Sequence, residues 1–169
     1  MSAISSDSNI NLNEFLPEDV LWDIFTLISL NEQISANQRL RNITSGSHVC
    51  QAWRNVIVNC APIWGRLVVI DSERGETRKP MLNEIIRRSG SSPVWIECSC
   101  TSNTYGTHKR DLIMVILPGL WARIQRIRIF GLEARHTNIF TEPAPILERV
   151  HIEGLPIRYS LTQPKSTLS

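Results

Sequence analysis

The chain has 169 residues, 42% hydrophobic and 20% charged, which is ordinary for one globular domain or a small module joined to a second piece. Its longest uninterrupted apolar run, Leu112 to Leu117, is too short to cross a bilayer, and nothing resembles a secretory signal. We therefore expect a cytoplasmic or nuclear protein without a membrane partner, whose four cysteines are reduced thiols.

Charge is divided unevenly along the chain. Residues 1–60 contain three arginines against six acidic residues, whereas residues 61–169 contain fifteen basic residues against ten acidic ones. The net charge of +2 thus combines an acidic segment with a basic one. Because the hydrophobic pattern changes at about the same place, we expect two segments with different roles.

The first predicted helix follows a polar leader. Residues 1–14 are rich in Ser and Asn and predict a disordered segment. Pro17 then suits a first helical turn, and Glu18 and Asp19 favour the positive end of a helix dipole. A helix of about three turns is predicted, with its apolar residues gathered on one stripe. These residues are Leu16, Val20, Leu21, Ile24, Phe25 and Ile28.

A second helix is predicted after a polar stretch. Residues 31–45 have no strong period and predict a loop or a short irregular helix. Gly46 and Ser47 offer a turn and an N-cap, and the helix should end before Pro62. Its apolar positions are Val49, Cys50, Trp53, Val56 and Ile57. Both helices need a covering surface, because burial of the apolar stripe supplies most helix stability.

Beyond Trp64 the apolar period changes from helical to alternating. Short strands are predicted at Leu67 to Ile70, Val94 to Cys98, Ile127 to Phe130 and Val150 to Ile152. Helices are predicted between them, at about residues 80–88 and 109–117. Strands that alternate with helices indicate a parallel sheet with right-handed crossovers.

An internal repeat supports this sheet. Arg126 to Leu132 recurs as Arg149 to Leu155, with five of seven positions identical or Ile/Val, at a period of 23 residues. That period is typical of leucine-rich repeats. The sequence therefore predicts a mixed α+β or α/β protein: a helical module at 15–66, a short irregular leucine-rich-repeat-like segment at 67–160, and a flexible tail at 161–169. The final strand should be a poorly protected edge.

Three strings in the helical module resemble the F-box family, in the family's order. They are Leu16-Pro17-Glu18-Asp19-Val20-Leu21-Trp22-Asp23-Ile24-Phe25, Ser47-His48-Val49-Cys50-Gln51-Ala52-Trp53-Arg54-Asn55-Val56, and Pro62-Ile63-Trp64. The serine-rich stretch of residues 88–93, followed by Val94, is also similar to the F-box-like proteins of fungi. The connection at residues 31–45 is longer than in the compact form of the family.

The resemblance implies a partner and a role. In the F-box family the module docks on the small adaptor subunit of a cullin-RING ubiquitin ligase, and the segment beyond it recruits the target. The adaptor-binding residues implied here are Leu16, Pro17, Val20, Leu21, Ile24, Phe25, Val49, Trp53 and Trp64. Of these, Trp53 and Trp64 would either brace the helices or complete the surface. An apolar helix face in a groove is a common recognition mode, and aromatic anchors are frequent hot spots. The alternative is that these residues form the core of a small helical domain.

Arginines concentrate around the two repeats. Alternation places Arg126 and Arg128 on one strand face, with Arg149 and His151 beside them. These four residues predict a mildly basic target-binding surface for an acidic or phosphorylated protein segment. A solvated strand face is the alternative. Nucleic acid is not expected as a partner, because aromatic residues are not interleaved with these arginines.

Catalytic and metal chemistry have little support. Cys98, Cys100 and His108 do not have zinc-ribbon spacing, and Cys98 alternates with Val94 and Ile96 as a buried strand residue would. The four histidines are scattered, and no glycine-rich phosphate loop occurs. We predict a noncatalytic subunit without a cofactor. The alternatives are an adaptor-bound scaffold without a degradation role, and a small hydrolase or metal enzyme that uses Cys98, Cys100 and His108.

Overall fold

The structure is a computed structural model that describes residues 16–71, 79–99, 116–131 and 144–153. Its helices are α1 (Glu18–Leu30), α2 (Ala36–Gly46), α3 (Gln51–Asn59), α4 (Ala61–Gly65) and α5 (Lys79–Arg88). Its strands are β1 (Val68–Asp71), β2 (Val94–Ser99), β3 (Ile124–Phe130) and β4 (Arg149–Glu153). Residues 116–120 are also helical and lead into a 3₁₀ turn at Trp121–Arg123.

Several predictions fall outside the described residues. They are the leader at 1–14, the tail at 161–169 and the part of the helix at 109–117 that precedes residue 116. Among the described residues, no helix has the length and apolar character needed to cross a membrane.

Helix α1 forms as predicted. The carbonyl of Pro17 accepts the first helical hydrogen bond from the amide of Leu21 at 3.1 Å, and Glu18 and Asp19 occupy the first turn. The apolar residues divide into two sectors, because successive helical residues lie about 100° apart. Leu21, Phe25 and Ile28 pack inward, whereas Val20 is exposed. The prediction of one common stripe was therefore wrong.

The polar stretch contains a regular helix, α2, where a loop or an irregular helix was predicted. Ser35 is its N-cap, and its hydroxyl accepts a hydrogen bond from the amide of Gln38 at 3.2 Å. Leu40 and Ile43 are buried against α1 and α3, and so is Gly46 at the end of the helix. Tertiary burial of this narrow apolar side outweighs the polar composition.

The predicted N-cap of the following helix was also wrong. Ser47 ends α2, and its hydroxyl donates back to the carbonyl of Thr44 at 2.7 Å. Helix α3 instead begins after Cys50, whose side chain makes no capping hydrogen bond. The guanidinium of Arg54 donates to the carbonyl of Ser47 at 3.0 Å, which joins the turn to the first part of α3.

The strands form one parallel sheet in the order β1-β2-β3-β4, and α5 connects β1 to β2. The predicted parallel sheet, its four strands and the helix at residues 80–88 are confirmed. Strand β4 lies at one edge of this order and all of its residues are exposed, as predicted for the final strand.

The sequence repeat sets the register between β3 and β4. Arg126 pairs with Arg149, Ile127 with Val150, and each following pair keeps the 23-residue offset of the repeat. Paired residues of a parallel ladder lie on the same face of the sheet. The repeat therefore aligns equivalent positions of β3 and β4 on the same face of the sheet.

A single apolar cluster joins the helices to the sheet. It contains Phe25 and Ile57 from the helices, Leu82 from α5, and Ile96 and Ile129 from the inner face of the sheet. Gly65 lies at the contact, and a Cβ built on it would be 2.4 Å from the carbonyl oxygen of Pro93. The two predicted segments consequently share one core.

Candidate functional site

A cleft of about 230 Å³ lies on the outer face of the sheet, beside the connection between α1 and α2. The predicted target-binding residues Arg126, Arg128, Arg149 and His151 all line it. Glu32, Arg39, Trp95 and Glu97 also line it. This volume admits a functional group of a partner rather than a whole drug-sized molecule.

Strand register explains how the sheet side of the cleft is built. Arg126 lies between Trp95 and Arg149 in neighbouring strands, and Arg128 lies between Glu97 and His151. Ile96, between Trp95 and Glu97, and Ile127, between Arg126 and Arg128, point to the core. Alternation in the sequence was therefore sufficient to predict the arginine face.

Glu32 brings a carboxylate to this face from the α1–α2 connection. One of its oxygens accepts a hydrogen bond from Arg126, and the other accepts one from Arg149 Nη1 at 2.9 Å. The helical segment is thereby connected to two adjacent strands by charge-assisted hydrogen bonds.

The indole ring of Trp95 packs against the guanidinium groups of Arg126 and Arg66. The guanidinium carbon of Arg126 lies 3.9 Å from the ring centroid, and that of Arg66 lies 5.7 Å from it. The Trp95 Nε1–H donates to Gln125 Oε1 at 2.8 Å, which fixes the ring. Cation–π attraction and this fixed ring hold Arg126 in place before any partner arrives.

Arg39 and Glu97 form a partly buried pair between α2 and the sheet. Arg39 is 5% exposed, and its Nη2 lies 4.0 Å from Glu97 Oε2. The other oxygen of Glu97 accepts a hydrogen bond from the backbone amide of Ala36, in the first turn of α2, at 3.1 Å. Burial lowers the pKa of Arg39, while the charge of Glu97 opposes that change.

We expect Glu97→Gln to destabilise the protein by about 1–3 kcal/mol, because Arg39 then loses its nearest buried counter-charge. Urea unfolding followed by circular dichroism measures the change. Glu153→Gln, an exposed change of the same kind on β4, is the control. Adding Arg39→Met to Glu97→Gln should recover stability, since an apolar side chain needs no counter-charge. Equal midpoints for Glu97→Gln and Glu153→Gln would contradict this role.

The residues predicted to bind an adaptor are divided between core and surface. Leu21 and Phe25 are buried, so their predicted role in direct adaptor contact is corrected to packing. Trp64 is also buried, which agrees with bracing of the helices and not with a place on the surface. Trp53 is half-buried and packs edge-on against Phe25, with ring centroids 5.3 Å apart. The indole N–H of Trp64 donates to the carbonyl of Ile57 at 2.7 Å. These residues brace the helices.

The remaining residues leave an apolar surface on α1. Val20 and Leu27 are exposed, Ile24 is half-buried, and Leu16 is exposed just before the helix. We call Leu16, Val20, Ile24 and Leu27 the outer stripe. Its helical members lie roughly a third of a turn from the buried sector. Pro17 and Val49, also predicted to bind the adaptor, are exposed as well.

Cys98 lies in the core side of β2 and is buried, as its alternation predicted. Cys100 and His108 lie outside the described residues. Within the described ranges, no group of three or more His, Cys, Asp and Glu side chains is placed to hold a metal ion.

Sequence reasoning missed Leu27 of the outer stripe, the start of α2 and Glu32 of the cleft. Leu27 follows Val20 and Ile24 at helical spacing and belonged to the same pattern. For α2, Ser35 and Gln38 have the spacing of a capping box, which predicts a helix start. Glu32 had no local signal, since its partners are 94 and 117 residues away along the chain.

Comparisons with family models, with curated proteins and with solved structures found no match to this chain.

Proposed function

We propose that the chain is a noncatalytic protein-binding subunit. Its helical segment, an F-box-like module, docks on the small adaptor of a cullin-RING ubiquitin ligase. Its leucine-rich-repeat-like sheet holds a target protein at the cleft. The chain would thereby bridge a target and, through the adaptor, the cullin.

The observation that carries the proposal is the outer stripe of α1. Leu27 is 67% exposed and Val20 39% exposed, on a helix whose neighbouring sector already supplies the core. An apolar helix sector of this kind is suited to a groove in a partner. Leu16 and Pro17, which carry the family resemblance, lie at the start of the same surface.

We expect Val20→Asp and Leu27→Asp, made together, to weaken adaptor binding about thirtyfold or more, as loss of interface hot spots does. Folding should be nearly unaffected, because both side chains are exposed. Co-precipitation and calorimetry of the purified full chain with the adaptor measure the effect. Met81→Asp is the control, since Met81 is similarly exposed, at 41%, but lies on α5.

Unchanged adaptor affinity in the stripe variant would contradict the proposed docking surface. Cullin in the same precipitate, together with target turnover that requires an intact stripe, supports the ligase role. Adaptor binding without cullin would instead favour the alternative, a scaffold bound to the adaptor with no degradation role.

A further inference from the structure

The cleft already holds an anion that belongs to the chain itself. Both oxygens of the Glu32 carboxylate are occupied, one by Arg126 and one by Arg149. These arginines come from adjacent strands and are paired in register. Two guanidinium groups that converge on one carboxylate are a usual way for proteins to bind anionic groups.

Glu32 is held where water and solutes compete for its partners. Its side chain is 50% exposed and that of Arg149 is 58% exposed, while that of Arg126 is 25% exposed. Exposed ion pairs contribute little net free energy, because both groups are well solvated when apart. Replacing this carboxylate with an incoming anion therefore costs little free energy.

Positive charge in the cleft exceeds what Glu32 and Glu97 neutralise. Among the described residues, four arginines and two glutamates line it, which is a net charge of +2 when His151 is counted as neutral. Within the described part of the chain, the buried Nε atoms of Arg39 and Arg126 have no hydrogen-bond partner. A group with two negative charges and several acceptor oxygens would balance this charge better than a single carboxylate does.

The cleft is prepared for such a group before it binds. Trp95 holds the guanidinium of Arg126 at 3.9 Å, so little side-chain freedom is lost on binding. The volume of about 230 Å³ fits one anionic group at a time. The position of Glu32 on the α1–α2 connection lets it leave without disturbing the strands.

We propose that Glu32 is a built-in competitor at an anion-binding site, and that a dianionic phosphate ester on a partner protein displaces it from Arg126 and Arg149. The proposal rests on the target-binding role of the cleft and does not require the adaptor. It narrows the acidic or phosphorylated segment expected from the sequence to a phosphate ester. It also names Glu32 as the residue that opposes binding. Removal of the Glu32 charge should consequently strengthen binding.

The probe is a fluorescein-labelled peptide with one phosphoserine among glycines and serines, titrated with the purified full chain and followed by anisotropy. Glu32→Gln should tighten binding about fivefold, because the internal carboxylate no longer competes. Glu18→Gln is the matched control, since it changes the net charge equally at an exposed position in the first turn of α1. Arg149→Ala should weaken binding at least fivefold, and Arg149→Lys less so.

Inorganic phosphate should compete with the phosphopeptide. The unphosphorylated peptide should bind neither the original protein nor Glu32→Gln. A Glu32→Gln affinity no tighter than that of Glu18→Gln would overturn the competitor role. Equal binding of the phosphoserine peptide and a glutamate peptide would overturn the preference for a dianion. The affinity of Glu32→Gln for the adaptor is measured in parallel. A failure of the adaptor proposal is thereby distinguished from a failure of the anion-binding proposal.

Discussion

Gly65→Ala is expected to lower the free energy of unfolding by about 3 kcal/mol, the upper end of the usual overpacking range. Gly65 ends α4 and packs against the residues that lead into β2. A methyl group there would lie 2.4 Å from the Pro93 carbonyl oxygen, and that atom is backbone. Relief therefore requires α4 or the start of β2 to move. Val94, the first residue of β2, is fully buried, which resists such movement.

Thermal and urea unfolding of the full chain measure this effect. For a chain of this size, a loss of about 3 kcal/mol corresponds to a fall in Tm of roughly 10 °C. Gly119→Ala is the control, because a Cβ built there has no described atom of another part of the chain within 4 Å. That variant should unfold within about 0.5 kcal/mol of the original protein. Equal midpoints for the two variants would show that α4 and β2 are not in close contact.

Phe25→Ala should destabilise the chain by about 3–5 kcal/mol, the usual result of emptying an aromatic site in a core. The ring is 1% exposed and packs edge-on against Trp53. It also lies 2.9 Å from the position that a Cβ on Gly46 would take, so α2 approaches the ring closely. The cavity would thus open where α1, α2 and α3 meet.

Leu27→Ala is the control for Phe25→Ala, because it lies on the same helix with 67% of its side chain exposed. Its urea midpoint should change little. Similar midpoints for both variants would contradict the assignment of Phe25 to the core. Loss of adaptor binding in Phe25→Ala would reflect unfolding, so tests of the docking surface belong on Val20 and Leu27.

Local pattern was sufficient for the elements whose apolar residues follow a regular period. Alternation in β2 and β3 and the 23-residue repeat predicted the parallel strands, and the repeat offset equals the register between β3 and β4. Alternation likewise placed Arg126 and Arg128 on the face opposite the core. These features depend on residues close together in sequence, for which side-chain direction follows from backbone geometry alone.

The polar composition of residues 31–45 led to a wrong prediction for α2, because tertiary burial stabilises that helix. The stretch that contains α2 reads as polar, yet Leu40 and Ile43 supply enough apolar surface once α1 and α3 cover them. In α1 the periodic residues were correctly placed on a helix. Which of them are covered, Phe25 or Val20, depended on where the other helices pack.

The sequence by itself determined the helix at α1, the parallel strands, the 23-residue offset between β3 and β4, and the arginine face. Only the tertiary structure decided that one core joins the helices to the sheet and that Gly65 packs against Pro93. It also decided that Glu32 meets Arg126 and Arg149. The reason is sequence distance: contacts between residues many tens of positions apart depend on how whole elements pack, and no local period records that packing.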